Sequence, residues 1–182
     1  MLDSRRKVPH DSPEISARNS TADKTVVLLD ELLTHTLPVR DLYKTARCQA
    51  ADIRFRQLRL LFDSHYKEQL RLVDVLVDRI CALGGANRVL AGTFLQGTQP
   101  TYILRGHLDF SRLLCDLLDV HESALSAAHA AGTNSLQTDT SADRDFAVGQ
   151  VVLTNDLQVH SVREQLSALQ RNPDTSRWKK ST

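Results

Sequence analysis

Three aspartates, Asp63, Asp74 and Asp78, fall within one amphipathic run from Phe55 to Gly85. On a helix, at about 100° per residue, Asp74 lies roughly 20° from Asp63 and Asp78 roughly 60°. The three carboxylates therefore share a narrow strip beside the apolar seam of Leu58, Phe62, Tyr66, Val73, Leu76, Val77 and Ile80. Carboxylates set close at the edge of a buried face need a cation. Two sources are open: a metal ion, or basic side chains. For the second, Lys67 follows Asp63 at i,i+4, Arg71 precedes Asp74 at i,i+3, and Arg79 adjoins Asp78. Pairs at such spacing make an ordinary solvated, salt-bridged face.

The elements that must carry this strip read as helices. Leucine and alanine abound and aromatics are few, which favours helix over sheet. A mostly disordered, flexible polar arm is expected over 1–23, which lacks periodicity. A first helix is expected over 23–50, kinked at Pro38, and a second over 55–83, stopped by Gly84-Gly85. Residues 86–106 form a crossover whose VLAGTFL stretch suits a short helical turn. The third helix is expected over 108–131, with Phe110, Leu113, Leu114, Leu117, Leu118, His121 and Leu125 on one face. The fourth covers 141–170, ahead of a basic tail at 171–182. Two helix pairs joined by one long connection make an all-α four-helix bundle with one crossover.

Composition narrows the functions. A net charge of +1 leaves no global basic field, so any contact with nucleic acid must be local. The 3 cysteines have no metal-binding or redox spacing and read as reduced apolar fillers of a cytoplasmic protein. No apolar run approaches the roughly 20 residues of a membrane span. The chain has no glycine-rich phosphate loop, no nucleophile elbow and no zinc spacing.

The segment LFDSHYKEQLRLVDVLVDRICALGG resembles the second helix of the Dps family, the mini-ferritins of starved cells. That family shows H-x-x-x-D…D-x-x-x-E-R…LGG here. This chain has Asp63, then Asp74-x-x-x-Asp78-Arg79, then Leu83-Gly84-Gly85. RFRQLR (54–59) is similar to the family's NFRQLH, and DLYKTARCQ (41–49) to the end of its first helix. The resemblance covers about 25–170, with its specific motifs in 41–85. It implies a ferritin-like bundle assembled as a hollow dodecamer. It also implies a site shared between two subunits, where two histidines face acidic residues and Fe²⁺ is oxidised, preferably by hydrogen peroxide.

By position, the family's acidic members fall on Asp63, Asp74 and Asp78, the last in place of the usual glutamate. Its two histidines fall on Arg47 and Arg59. Arginine has no lone pair for iron and stays charged, but it pairs with carboxylates bidentately. Cys48 stands where a tryptophan is usual, and VREQL (162–166) lacks the late tryptophan of the fourth helix. The resemblance thus implies an ion-pair cluster, Arg47 and Arg59 facing Asp74 and Asp78 across an interface, in place of the ferroxidase centre. The alternative keeps iron on Asp63, Asp74 and Asp78 with a recruited His160, which shares a face with Asp156 and Glu164. A non-ferritin helical interaction module is the third reading.

The tail carries Arg171, Arg177, Lys179 and Lys180 beside Trp178, and the arm carries Arg5, Arg6 and Lys7. Either they solubilise the termini, or twelve copies bind DNA without sequence preference, placing the shell on the nucleoid under starvation or oxidative stress. Asp139, Asp143 and Asp145 complement a helix N-terminus. In relatives, acids near this junction line a cation pore.

Overall fold

The computed structural model describes residues 13–85, 109–133 and 142–171, with side chains from 22 onward except at 54 and 143. It contains four long helices: α1 (Pro13–Gln49), α2 (Arg56–Ala82), α3 (Phe110–Thr133) and α4 (Ala142–Arg171). A single 3-10 turn, Ile53–Phe55, turns the chain from α1 into α2. The crossover, with its proposed VLAGTFL turn, lies outside the described residues.

α1 begins well inside the stretch expected to be an unstructured arm. Proline suits the first helical position, because its missing N–H would have no partner there. The following Glu14, Ala17, Arg18 and Ala22 are good helix formers even without an apolar stripe. The helix runs through Pro38, which sits on an exposed face.

α2 ends where the Gly-Gly pair predicts. Gly84 takes φ 77°, and its N–H donates to the Cys81 carbonyl while that of Gly85 donates to Ile80. This pair of bonds is a Schellman cap, which satisfies two carbonyls the helix leaves open. α3 starts on Asp109, whose Oδ1 accepts from the N–H groups of Ser111 and Arg112.

Contacts pair α1 with α2 and α3 with α4, and close the bundle through α1–α3 and α2–α4. The core falls into two apolar clusters. One joins Val39, Leu42, Leu58, Phe62, Phe110, Leu114, Leu117 and Val162. The other joins Leu29, Leu33, Leu72, Leu76, Ile80, Ala128, Ala147 and Val151. Each fully buried leucine or phenylalanine contributes about 1.5–3 kcal/mol against exposure. Among the described residues no helix is long and apolar enough to cross a membrane.

Candidate functional site

Asp63 is the best-defined member of the aspartate strip. Lys67 Nζ lies 2.6 Å from its Oδ2, one helical turn on. Arg47, reaching over from the end of α1, donates from Nη1 to Oδ1 at 2.9 Å. The guanidinium of Arg47 also lies over the Tyr66 ring, 4.4 Å from its centroid, a favourable cation–π geometry. The bonds from Lys67 and then Arg47 hold the Asp63 carboxyl below the usual carboxylate range. The bond to Asp63 in turn raises the already high pKa of Arg47. Asp63 is therefore ionised, and both its oxygens are engaged by cations.

The other members stand apart. Asp74, Asp78 and Arg59 are exposed on α2. Arg47 is thus taken up by Asp63 within its own chain, where the sequence pointed to Asp74 and Asp78 across an interface. His160 is exposed on α4 and meets Glu164 at 3.2 Å. Among the described residues, no three His, Cys, Asp or Glu side chains are grouped to hold a metal ion. A single subunit therefore does not bring His160 to the three aspartates. Asp145 is half exposed beside Arg144, at 3.5 Å. The side chain of Asp143 lies outside the described residues, as do Asp139, Arg5, Arg6, Lys7, Arg177, Trp178, Lys179 and Lys180. Arg171 is exposed at the last turn of α4.

Between the two apolar clusters lies a layer that sequence reading did not single out. On α2, His65 and Gln69 fall between Phe62 and Leu72; on α4, Asn155 and Gln158 fall between Val151 and Val162. Tyr43 from α1 and His121 from α3 complete it, both 0 % exposed. Tyr43 Oη lies 2.8 Å from His121 Nε2 and 3.0 Å from His65 Nδ1. His121 Nδ1 meets Asn155 Oδ1 at 2.7 Å. Gln69 donates to Asn155 Oδ1 and to Gln158 Oε1, and Gln158 donates to Glu68 at 2.8 Å. Every helix contributes. A signal was present in the sequence: His65 and Gln69 occupy seam spacing on α2, polar residues where the period calls for apolar ones.

The protonation of this layer follows from its bonds. Asn155 Nδ2 donates to the Val151 carbonyl at 2.7 Å, which fixes the amide with Oδ1 toward His121. His121 must then carry its proton on Nδ1. Burial pushes its pKa down to about 4, so the ring is neutral and Nε2 is an acceptor. Tyr43 donates to that Nε2. Its oxygen in turn accepts from His65 Nδ1–H, and burial also lowers the pKa of His65.

Residues 26–171 match the ferritin-like domain family. An uncharacterized protein in the bpoA2 5' region of Kitasatospora aureofaciens is 36% identical over 108 residues, 58% of this chain and 70% of that protein. Among solved structures, DpsC from Streptomyces coelicolor is similar with a TM-score of 0.67 and 30% identity, over 81% of this chain and 86% of that one. Dps from Thermosynechococcus elongatus has the same fold, with a TM-score of 0.67 at 18% identity over 82% and 94%.

Proposed function

Since the chain belongs to the ferritin-like family, in its Dps branch of mini-ferritins, we propose that it is the subunit of a protective homo-oligomeric shell in which basic side chains occupy the family's iron site. The observation that carries this reading is the clamp on Asp63. Its two oxygens are bound by Lys67 and Arg47, and Arg47 stands at a position where the family has a histidine ligand. Fe²⁺ arriving as substrate would have to displace two cations and would find no nitrogen donor in their place. Arg59, at the second histidine position, is exposed one turn before Asp63, and Asp74 and Asp78 are exposed on the same helix. A second copy of the chain, packed on this face as a Dps dodecamer would require, meets Arg59 with its Asp74 and Asp78. The charge balance that iron supplies elsewhere is then supplied by arginine.

The shell's use is stress protection in the cytoplasm, by sequestering iron in its hollow interior, by associating with DNA, or both. Retained carboxylates support a second reading, in which Asp63, Asp74 and Asp78 of an assembled pair still take iron and His160 joins them. One experiment separates the two. Full-length protein is mixed with Fe²⁺ and hydrogen peroxide while ferric absorbance is followed. The clamped-site reading expects no saturable phase scaling with subunit number, and expects the double variant Arg47→His with Arg59→His to gain one. A saturable phase in the unaltered protein that His160→Ala removes establishes the active-ferroxidase reading instead.

A further inference from the structure

We propose that Tyr43 is a redox-active tyrosine, a one-electron donor whose phenolic proton passes to His121 Nε2 as an outer-sphere oxidant takes an electron from the ring. The inference is independent of whether iron binds at Asp63.

Oxidising a phenol in a protein interior is costly because the radical cation is strongly acidic and its proton needs somewhere to go. Here the acceptor is in place. The Tyr43 O–H points at a neutral imidazole nitrogen 2.8 Å away, and the orientation of Asn155 leaves that nitrogen no proton of its own. The step balances within the pair. The Tyr43 O–H bond breaks, an Nε2–H bond forms on His121, and one electron leaves to the oxidant, giving a neutral phenoxyl radical beside an imidazolium. The reverse transfer restores the pair when a reductant returns the electron.

Burial opposes the imidazolium, since it lowers the His121 pKa, and the hydrogen bonds around the pair offset part of that cost. The new imidazolium keeps its Nδ1–H bond to Asn155 Oδ1, and the same amide chain continues through Gln69 and Gln158 to the Glu68 carboxylate. The phenoxyl oxygen keeps the bond from His65 Nδ1–H at 3.0 Å. Simple loss of the proton to give a phenolate is opposed, because burial and then Glu68 raise the Tyr43 pKa well above its ordinary value. Electron and proton must therefore leave together. Full burial of the ring also keeps the radical from coupling with a second copy. Tyr66 is the opposite case: the Arg47 guanidinium over its ring disfavours removing an electron from it.

The test uses full-length protein and photogenerated ruthenium(III) tris-bipyridine as oxidant, with rapid freezing and electron paramagnetic resonance. The expected result is a phenoxyl signal that shows hyperfine coupling to deuterons after exchange into D₂O. These deuterons sit on His121 Nε2 and His65 Nδ1. Tyr43→Phe abolishes that deuteron-coupled signal. His121→Phe, with Tyr43 intact, loses it as well. A phenoxyl signal of unchanged yield and coupling in Tyr43→Phe overturns the proposal. So does a wild-type radical without exchangeable coupling, a measurement that stands even if the His121 variant fails to fold.

Discussion

Burial takes His121 from an ordinary histidine pKa of 6.5 down to about 4, and this ties the stability of the bundle to pH. A histidine with a depressed folded pKa binds a proton more readily in the unfolded chain. Between the two values the unfolded state takes up protons that the folded state refuses, so stability falls as pH falls through that window. For His121 the loss reaches about 3 kcal/mol by the folded value, and His65 shifts in the same direction. Urea midpoints at about pH 7 and about pH 5 should therefore differ, and His121→Asn should flatten the difference. Asp63 titrates separately: Lys67 and Arg47 hold its carboxyl below the usual range, so its contribution survives to more acid pH. The Asp63–Lys67 pair was legible in the sequence because i,i+4 neighbours meet on any helix. The Arg47–Asp63 pair was half legible, since only the resemblance marked both positions. The pairings of the polar layer were not, although His65 and Gln69 mark its place on α2, because its bonds between helices join residues from 22 to 93 positions apart, and no local period encodes such pairings.

At the scale of the helices, the end of α2 makes two glycines separable. Gly84 needs its positive φ but has open space around a Cβ, whereas a Cβ on Gly85 would lie 2.6 Å from Val26 Cγ1 and 2.9 Å from Ile80 Cγ2. Gly84→Ala should cost about 1 kcal/mol through backbone strain alone. Gly85→Ala should cost about 1–3 kcal/mol through overpacking of α1 against α2. Adding Val26→Ala should recover part of the second loss and none of the first, as read from thermal or urea unfolding. The cap, the seam of α2 and the apolar face of α3 were all legible from period and breakers. The true start of α1 was not. Residues 13–22 form helix without an apolar stripe, so the period that located the other helices was silent there.

At the scale of the whole molecule, a near-neutral chain carries its excess cations at its ends. Arg171 closes α4, and Arg177, Lys179 and Lys180 follow it. If copies gather into a shell, many such ends act together on one polyanion, and binding should weaken steeply with salt while ignoring base sequence. Replacing Arg5, Arg6, Lys7, Arg171, Arg177, Lys179 and Lys180 with glutamine should abolish gel retardation of DNA at low salt. Retardation equal to that of the unaltered protein would refute a role for the ends. Closed assemblies also place a demand on the interior. Symmetric contacts repeat only if every copy presents the same surface at the same height. The ring of hydrogen bonds from Tyr43 to Gln158 closes only when all four helices stand level. Sliding one helix by a turn, about 5.4 Å, would bring an aliphatic side chain into the ring and strand a histidine or amide in hydrocarbon. The buried layer thus works as a height gauge. A bundle out of register leaves a histidine or an amide unpaired, so the relative height of the four helices is set inside the subunit, whatever its outer faces meet.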